Sequence, residues 1–196
     1  MDPKQKNEEF TEFETKYRVD GSLIYDFKQF VKEKLPDYKE SIYIESDDIY
    51  YVKGDEFLRY RFSDDKKIKR AELTYKQKTV DNHNIVRKEV NLRVDQNDKD
   101  TVAAMAEALG FEKNFKISKI VHIYVYEDAT LPFYTVYDED GKVDHFMEIE
   151  VDEALIPKIT KEEAMDIIKK YESLLSPLGI TAQKRLKKSL FEMYRK

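Results

Sequence analysis

The sequence has no cysteine, and only five glycines and five prolines occur among its 196 residues. Without cysteine, a disulfide framework, a thiol nucleophile and a thiolate zinc site are all excluded, and a reducing cytoplasm is the expected compartment. The scarcity of glycine and proline, with no Ser-rich or Pro-rich tract, leaves no obvious flexible linker. We therefore expect one domain over residues 1–196.

Long apolar runs are also missing. No window approaches the roughly 20 apolar residues that a membrane-spanning helix needs, and the charged segment from Met1 to Glu9 has the character of neither a signal peptide nor an anchor. The 40 acidic side chains slightly outnumber the 35 basic ones. This balance excludes simple electrostatic capture of nucleic acid, DNA included, or of an anionic membrane. Positive charge for an anionic ligand must therefore be concentrated locally.

Most of the chain alternates between polar and apolar residues with the period of two that is typical of β-strands. The strand-like runs lie at about 12–19, 40–53, 56–63, 70–79, 84–94, 114–127, 132–138 and 143–151. Eight strands are enough to close an antiparallel barrel.

Helical patterns interrupt and follow these runs. Asp20 can cap a first helix, and a second begins near Asp98 or Asp100 and ends at Gly110. In the tail, Thr160 and Glu163 form a capping box before a third helix, and Thr181 opens a fourth.

Charged residues fall on one face of five of the predicted strands. They are Glu12, Glu14, Lys16 and Arg18; Arg59 and Arg61; Lys76 and Lys78; Arg87, Glu89 and Arg93; and Glu148, Glu150 and Asp152. An ordinary antiparallel sheet would show this face to water. Here, however, the signs are sorted by strand, and four amphipathic helices need apolar surfaces to cover. We therefore predict an α+β fold: a closed eight-stranded antiparallel β-barrel, or tunnel, with a polar lumen, covered by about four helices.

Such a lumen has a definite ligand preference. The carboxylates of its first and last strands are hard oxygen ligands of the kind that Mg²⁺ or Mn²⁺ takes. Arginine and lysine side chains on the remaining strands would bind phosphate oxygens. A linear triphosphate with a divalent metal suits this arrangement better than a singly charged ligand.

The segment Glu12-Phe13-Glu14-Thr15-Lys16 resembles the E-x-E-x-K signature that opens CYTH domains, also called triphosphate tunnel metalloenzymes. The similarity continues in order with Arg59-x-Arg61, Lys76-x-Lys78, Arg87-x-Glu89 and Phe146-Met147-Glu148-Ile149-Glu150. Together these elements cover about residues 12–151, and the helical tail resembles the usual ending of the family.

The resemblance implies an eight-stranded tunnel that binds a triphosphate-containing small molecule or nucleotide, or the 5′ end of an RNA, and hydrolyses a phosphoanhydride bond with Mg²⁺ or Mn²⁺. By resemblance, the metal ligands are Glu12, Glu14, Glu148 and Glu150. The phosphate ligands are Lys16, Arg59, Arg61, Lys76, Lys78, Arg87 and Lys119. Glu89 and Asp138 would lie near a second metal or the attacking water, and Lys76 would also take part in catalysis.

The sequence departs from the family pattern at two places. Asn91 stands where many relatives have a second acid, so a second metal is in doubt, and Val121 follows Lys119 where the family tends to have K-x-R. A shift of one residue would instead turn Lys116, Ser118 and His122 inward. Three alternatives stay open: a class IV adenylyl cyclase, a non-catalytic nucleotide or polyphosphate binder, and a barrel whose charges face water. The group attached to the triphosphate and the oligomeric state are not predicted.

Overall fold

The computed structural model describes residues 12–76, 86, 87, 89–94 and 99–196, with side chains everywhere except at 76, 86, 87 and 89. In chain order the elements are β1 (Glu12–Val19), α1 (Leu23–Lys34), β2 (Glu40–Lys53), β3 (Glu56–Asp64), β4 (Lys69–Lys76), β5 (Val86–Arg87), β6 (Glu89–Arg93), α2 (Lys99–Ala108), β7 (Glu112–Val125), β8 (Ala129–Asp138), β9 (Val143–Val151), α3 (Lys161–Leu175) and α4 (Leu190–Tyr194). The positions of these elements match most of the predicted runs.

The strands form one antiparallel sheet, in which the described residues give the order β5-β1-β9-β8-β7-β2-β3-β4-β6. Its two ends, β5 and β6, are one residue apart in the sequence. Arg87 of β5 pairs with Glu12 of β1, whereas Glu89 of β6 pairs with Lys76 of β4. The run from Val86 to Arg93 therefore joins both edges of the sheet, and eight strands surround one interior when β5 and β6 are counted together. The predicted fold class is confirmed.

The outer faces of the strands are apolar because the helices cover them. On β1 and β9, Tyr17 and Ile149 pack in one core with Ile168 and Leu175 of α3. On the other side of the barrel, α2 covers a second core around Leu58 and Leu73. Thr160 caps α3 and forms the predicted capping box with Glu163. Helices on the outside leave the inner faces of the strands to the polar side chains.

Two helix starts differ from the prediction. Ser22, and not Asp20, is the N-cap of α1, and the Asp20 carboxylate accepts hydrogen bonds from the amide and hydroxyl of Ser22. Thr181 precedes only a 3₁₀ turn, Ala182–Lys184. The chain stays extended after this turn because Arg185 forms a β-bridge with Tyr17 and binds both carboxylate oxygens of Glu172 at 2.6 and 2.7 Å.

The last helix, α4, begins at Leu190 with its own capping box between Ser189 and Glu192. It lies across one end of the barrel. There Phe191 stacks on Phe57 with 4.3 Å between ring centroids, and Tyr50 stacks on Phe115 at the same separation. We call this group the aromatic floor: Tyr50, Phe57, Phe115 and Phe191. It closes that end of the interior.

Of the helices in the described ranges, none is long and apolar enough to cross a membrane.

Candidate functional site

The barrel encloses a cavity of about 480 Å³ above the aromatic floor. Ionisable and amide side chains from six strands and from the segment after β9 line it. They are Glu12, Glu14, Lys16, Arg59, Arg61, Arg70, Glu72, Asn91, Arg93, Lys119, Glu148, Glu150 and Glu153. The charged faces of separate strands thus converge on one interior, as the sorted signs predicted.

The acidic wall of the cavity is formed by β1 and β9. Their register sets Glu14 opposite Glu150 and Lys16 opposite Glu148. The Lys16 ammonium lies 2.7 Å from Oε1 of Glu148 and 3.6 Å from Oε1 of Glu14. The Tyr134 hydroxyl donates a 2.6 Å hydrogen bond to Glu148. Burial and the Glu148 charge hold the pKa of Tyr134 well above its ordinary value, so this hydroxyl keeps its proton.

The acidic wall carries carboxylates that could bind a metal. Among the side chains that the structure describes, no three of His, Asp or Glu are arranged as a formed metal site. Glu14 and Glu148 lie against the Lys16 ammonium instead. The donor set nevertheless fits a hard divalent cation, because Glu12, Glu14, Glu148 and Glu150 place four carboxylates on two paired strands of the same cavity.

The basic wall is organised around Asp48 of β2, which the sequence analysis did not identify. Asp48 is fully buried. Arg61 donates to both of its oxygens, Nε to Oδ1 at 2.8 Å and Nη2 to Oδ2 at 2.9 Å, and the Lys119 ammonium lies 2.7 Å from Oδ2. One buried carboxylate thus holds two of the predicted phosphate ligands.

The protonation of this cluster follows from its burial and its charges. Burial alone would raise the pKa of Asp48, but Arg61 and Lys119 outweigh it and hold that pKa far below its usual range. For Lys119, burial and the Arg61 charge lower the pKa to about 7, and Asp48 opposes them only in part. Asp48 is therefore ionised, and Lys119 changes its charge near neutral pH.

A second polar network surrounds Arg59. This side chain donates a 3.0 Å hydrogen bond to the buried Thr74 hydroxyl and lies 3.5 Å from Glu72. The hydroxyl of Thr74 is in turn 2.7 Å from the amide oxygen of Asn91. Asn91, where many relatives would have an acid, therefore acts here as a neutral hydrogen-bond partner in the cavity wall.

Eight predicted site residues line the cavity: Glu12, Glu14, Lys16, Arg59, Arg61, Lys119, Glu148 and Glu150. The inward face of β7 is also established, because Lys119 and Val121 line the cavity. The alternative register is wrong. Lys116 and Ser118 instead contact Asp47 on the outer face, and His122 lies against Lys28 and Tyr43.

Asp138 is the remaining predicted site residue whose side chain the structure describes. It stands at the end of β8, where its carboxylate accepts hydrogen bonds from the amides of Asp140 and Lys142 in the following turn. It is not among the described residues that line the cavity. The resemblance placed Asp138 near a second metal or the attacking water, whereas here it lies outside the described cavity lining.

The four other predicted residues are Lys76, Lys78, Arg87 and Glu89. Lys78 lies outside the described residues. Lys76, Arg87 and Glu89 belong to strands that bound the cavity, with Lys76 and Glu89 opposite each other, but their side chains lie outside the described part. Conversely, Arg70, Glu72 and Arg93 line the cavity without having been predicted as ligands. The sequence could have predicted Arg70 and Glu72, because they alternate with the apolar Ala71 and Leu73 on β4.

The comparisons with known proteins agree with this geometry. The family model described as CYTH domain matches residues 11–185. No curated protein matches the chain. Solved structures do.

A conserved hypothetical protein from Pyrococcus furiosus has 23% sequence identity and a TM-score of 0.70, covering 92% of this chain and 98% of that one. The PH1819 protein from Pyrococcus horikoshii OT3 has 25% identity and a TM-score of 0.69, with 93% and 97% covered. The PH1012 protein from the same organism has 24% identity and a TM-score of 0.69, with 94% and 99% covered.

Proposed function

The chain belongs to the CYTH domain family, and on this premise we propose that it hydrolyses a phosphoanhydride bond of a triphosphate inside the tunnel with Mg²⁺ or Mn²⁺. The main support is the convergence of eight predicted ligands, four carboxylates and four basic side chains, on one cavity. Opposite charges on opposite walls suit a ligand that is itself a polyanion with a divalent cation. An anion alone would be repelled by the acidic wall, and a cation alone would be repelled by the basic wall.

The acidic wall is proposed to hold the metal through Glu12, Glu14, Glu148 and Glu150. When bound, a divalent cation supplies charge neutralisation at the phosphate oxygens and lowers the pKa of a coordinated water. Tyr134 fixes the orientation of Glu148 by its hydrogen bond of 2.6 Å. Glu89 remains the predicted residue beside the attacking water.

The basic residues are proposed to hold the phosphates. Arg59 offers its guanidinium fork to phosphate oxygens, and Arg61 offers the guanidinium hydrogens that Asp48 does not accept. Lys16 and Lys119 add point charges. Lys76, Lys78 and Arg87 remain predicted phosphate ligands, and Lys76 also a predicted catalytic residue. Before a ligand binds, Asp48, Glu72 and Glu148 offset the mutual repulsion of the cations.

The proposal is tested by phosphate release from inorganic triphosphate, nucleoside triphosphates, thiamine triphosphate and RNA with a 5′-triphosphate. Each substrate is incubated with Mg²⁺, with Mn²⁺ and with EDTA. We expect orthophosphate from at least one substrate, loss of turnover in EDTA and recovery on adding metal. Pyrophosphate and a cyclic nucleotide from ATP would identify a cyclase instead. Tight binding without turnover under any metal would identify a binder, and either result contradicts the hydrolase.

A second expected result concerns pH. Ligand-free Lys119 has its pKa lowered to about 7, and the groups that face it are Asp48 of β2, Arg59 and Arg61 of β3, and the Tyr134 ring of β8. A bound polyanion favours the ammonium form and so raises this pKa. Triphosphate binding should therefore take up a proton, and affinity should fall by up to about tenfold per pH unit above pH 7.

Isothermal titration calorimetry in two buffers of different ionisation enthalpy measures this proton uptake directly. Lys119→Arg is the matched control, because arginine keeps its charge at every pH in the range. The phosphate groups of the ligand also titrate here, but equally for both proteins. Equal proton uptake by the parent and by Lys119→Arg would show that Lys119 is not the group involved.

A further inference from the structure

Part of the cavity lining is apolar. We call it the apolar wall, and it consists of Ile44, Val121, Ile123 and Pro132. Ile44 pairs directly with Val121 across β2 and β7, and Ile123 pairs with Pro132 across β7 and β8. Directly paired residues on one face of a sheet have neighbouring side chains. The four therefore form one continuous surface over three adjacent strands.

The apolar wall adjoins the basic part of the cavity. Val121 follows Lys119 by two residues on the same face of β7, a separation of roughly 7 Å. On β2, Ile44 is likewise followed on its inner face by Ser46 and Asp48. A ligand whose phosphate contacts Lys119 thus places its next group against Val121 and Ile44.

The apolar wall also lies toward the open end of the cavity. At the opposite end, the aromatic floor is buried, with Tyr50 3% and Phe191 7% exposed. Ile44 and Val121 lie farther from α4 along β2 and β7 than Tyr50 and Phe115 do. Three other side chains that line the cavity are exposed to solvent: Arg70, Arg93 and Glu153. The aromatic floor does not cover them. The mouth therefore combines an apolar side with a charged side.

This arrangement does not suit a ligand that consists only of phosphate. Hydrated phosphate oxygens lose water beside aliphatic side chains and gain no hydrogen bond there. A flat ring that covers the same side chains is stabilised instead, because it removes apolar surface from water. Arg70 and Arg93 on the exposed side can donate hydrogen bonds to its polar edge.

We propose that the apolar wall receives the organic ring of a triphosphate ester, of the size of a nucleobase, while its phosphates reach down to Lys119 and Arg61. The preferred substrate is then an organic triphosphate and not inorganic triphosphate. This inference rests on the proposed function, since it assigns the group that accompanies the triphosphate in the same cavity.

The test compares ATP with inorganic triphosphate on the full chain. The readout is the ratio of the two kcat/KM values with Mg²⁺ or, without turnover, the ratio of the two Kd values from calorimetry. We expect ATP to be favoured by roughly tenfold or more, and each factor of ten corresponds to about 1.4 kcal/mol. Equal or better use of inorganic triphosphate would overturn the inference and leave the proposed function standing. No binding of either ligand would contradict the proposed function itself.

Two arginine variants test whether the apolar wall causes the preference for ATP over inorganic triphosphate. Val121→Arg places a cation in the apolar wall and should lower the ATP preference at least about tenfold. His122→Arg adds the same charge one residue along, on the outer face beside Lys28, and should leave the ratio unchanged. Equal shifts in both variants would mean that added charge, and not the apolar wall, sets the ratio. The ratio in the parent protein tests the inference even if a variant fails to fold.

Discussion

Replacement of Asp48 by alanine is expected to lower the free energy of unfolding by about 3 kcal/mol. Asp48 has no exposed surface and binds Arg61 through two hydrogen bonds and Lys119 through a third contact of 2.7 Å. Removal of one partner from a buried ion pair leaves the other charge without compensation. Lys119 can escape by losing its proton, but Arg61 cannot. The loss should therefore fall at the lower end of the usual range for such pairs.

Chemical denaturation followed by circular dichroism measures the effect, and Asp47→Ala is the matched control. Asp47 is the preceding residue on the outer face of β2, where its side chain is 45% exposed and lies 2.8 Å from Lys116. Its removal should cost at most about 1 kcal/mol. Losses of similar size in both variants would show that the Asp48 cluster adds no special stability.

Binding of inorganic triphosphate distinguishes two causes of the stability loss in Asp48→Ala, namely uncompensated positive charge and lost packing. In the Asp48→Ala variant a polyanion meets Arg61 and Lys119 without competition from the carboxylate, so its binding should raise the melting temperature more than in the parent. A cavity left by lost packing would not respond to the charge of a ligand. An equal or smaller shift in the variant would therefore contradict the role assigned to Asp48.

The failure to predict Asp48 has a physical reason. The alternation of strand residues gives the face of each side chain but not its neighbours on other strands. Asp47 and Asp48 are adjacent acids, and one of them must point inward whichever face is chosen. Only the register that sets Asp48 opposite Arg61 identifies the buried one. By contrast, Glu12 and Glu148 were predictable because their strands repeat the same charge at every second residue.

Asp138, which the resemblance placed near a second metal or the attacking water, shows a second limit. It shares the inner face of β8 with Tyr134 and Val136. Val136 already packs with the aromatic residues around α4, beyond the cavity, and Asp138 lies one step farther still. How far along the barrel a side chain lies from the aromatic floor depends on where the C-terminal segment folds back. The β-bridge between Arg185 and Tyr17, which are far apart in the sequence, helps to set that position.

Glu14→Gln and Glu148→Gln are each expected to lower kcat by about 10²–10³, because each removes a full negative charge from the proposed metal ligands. Glutamine keeps the size of the side chain and can still accept the hydrogen bond from Tyr134 at position 148. The effect should thus be electrostatic and not structural. The metal concentration for half-maximal turnover should rise in both variants, and this is measured by titrating Mg²⁺ or Mn²⁺ at saturating substrate.

Asp144→Asn supplies the control on the same strand and the same face. Its side chain is 11% exposed, against 13% for Glu148, and it accepts a 2.6 Å hydrogen bond from the Tyr194 hydroxyl as Glu148 does from Tyr134. Asp144 lies beyond the aromatic floor and is not among the described residues that line the cavity. Its neutralisation should cost stability but leave the metal requirement unchanged. If Asp144→Asn shifts that requirement as strongly as Glu148→Gln, general destabilisation of β9 explains both, and the acidic wall does not hold the metal.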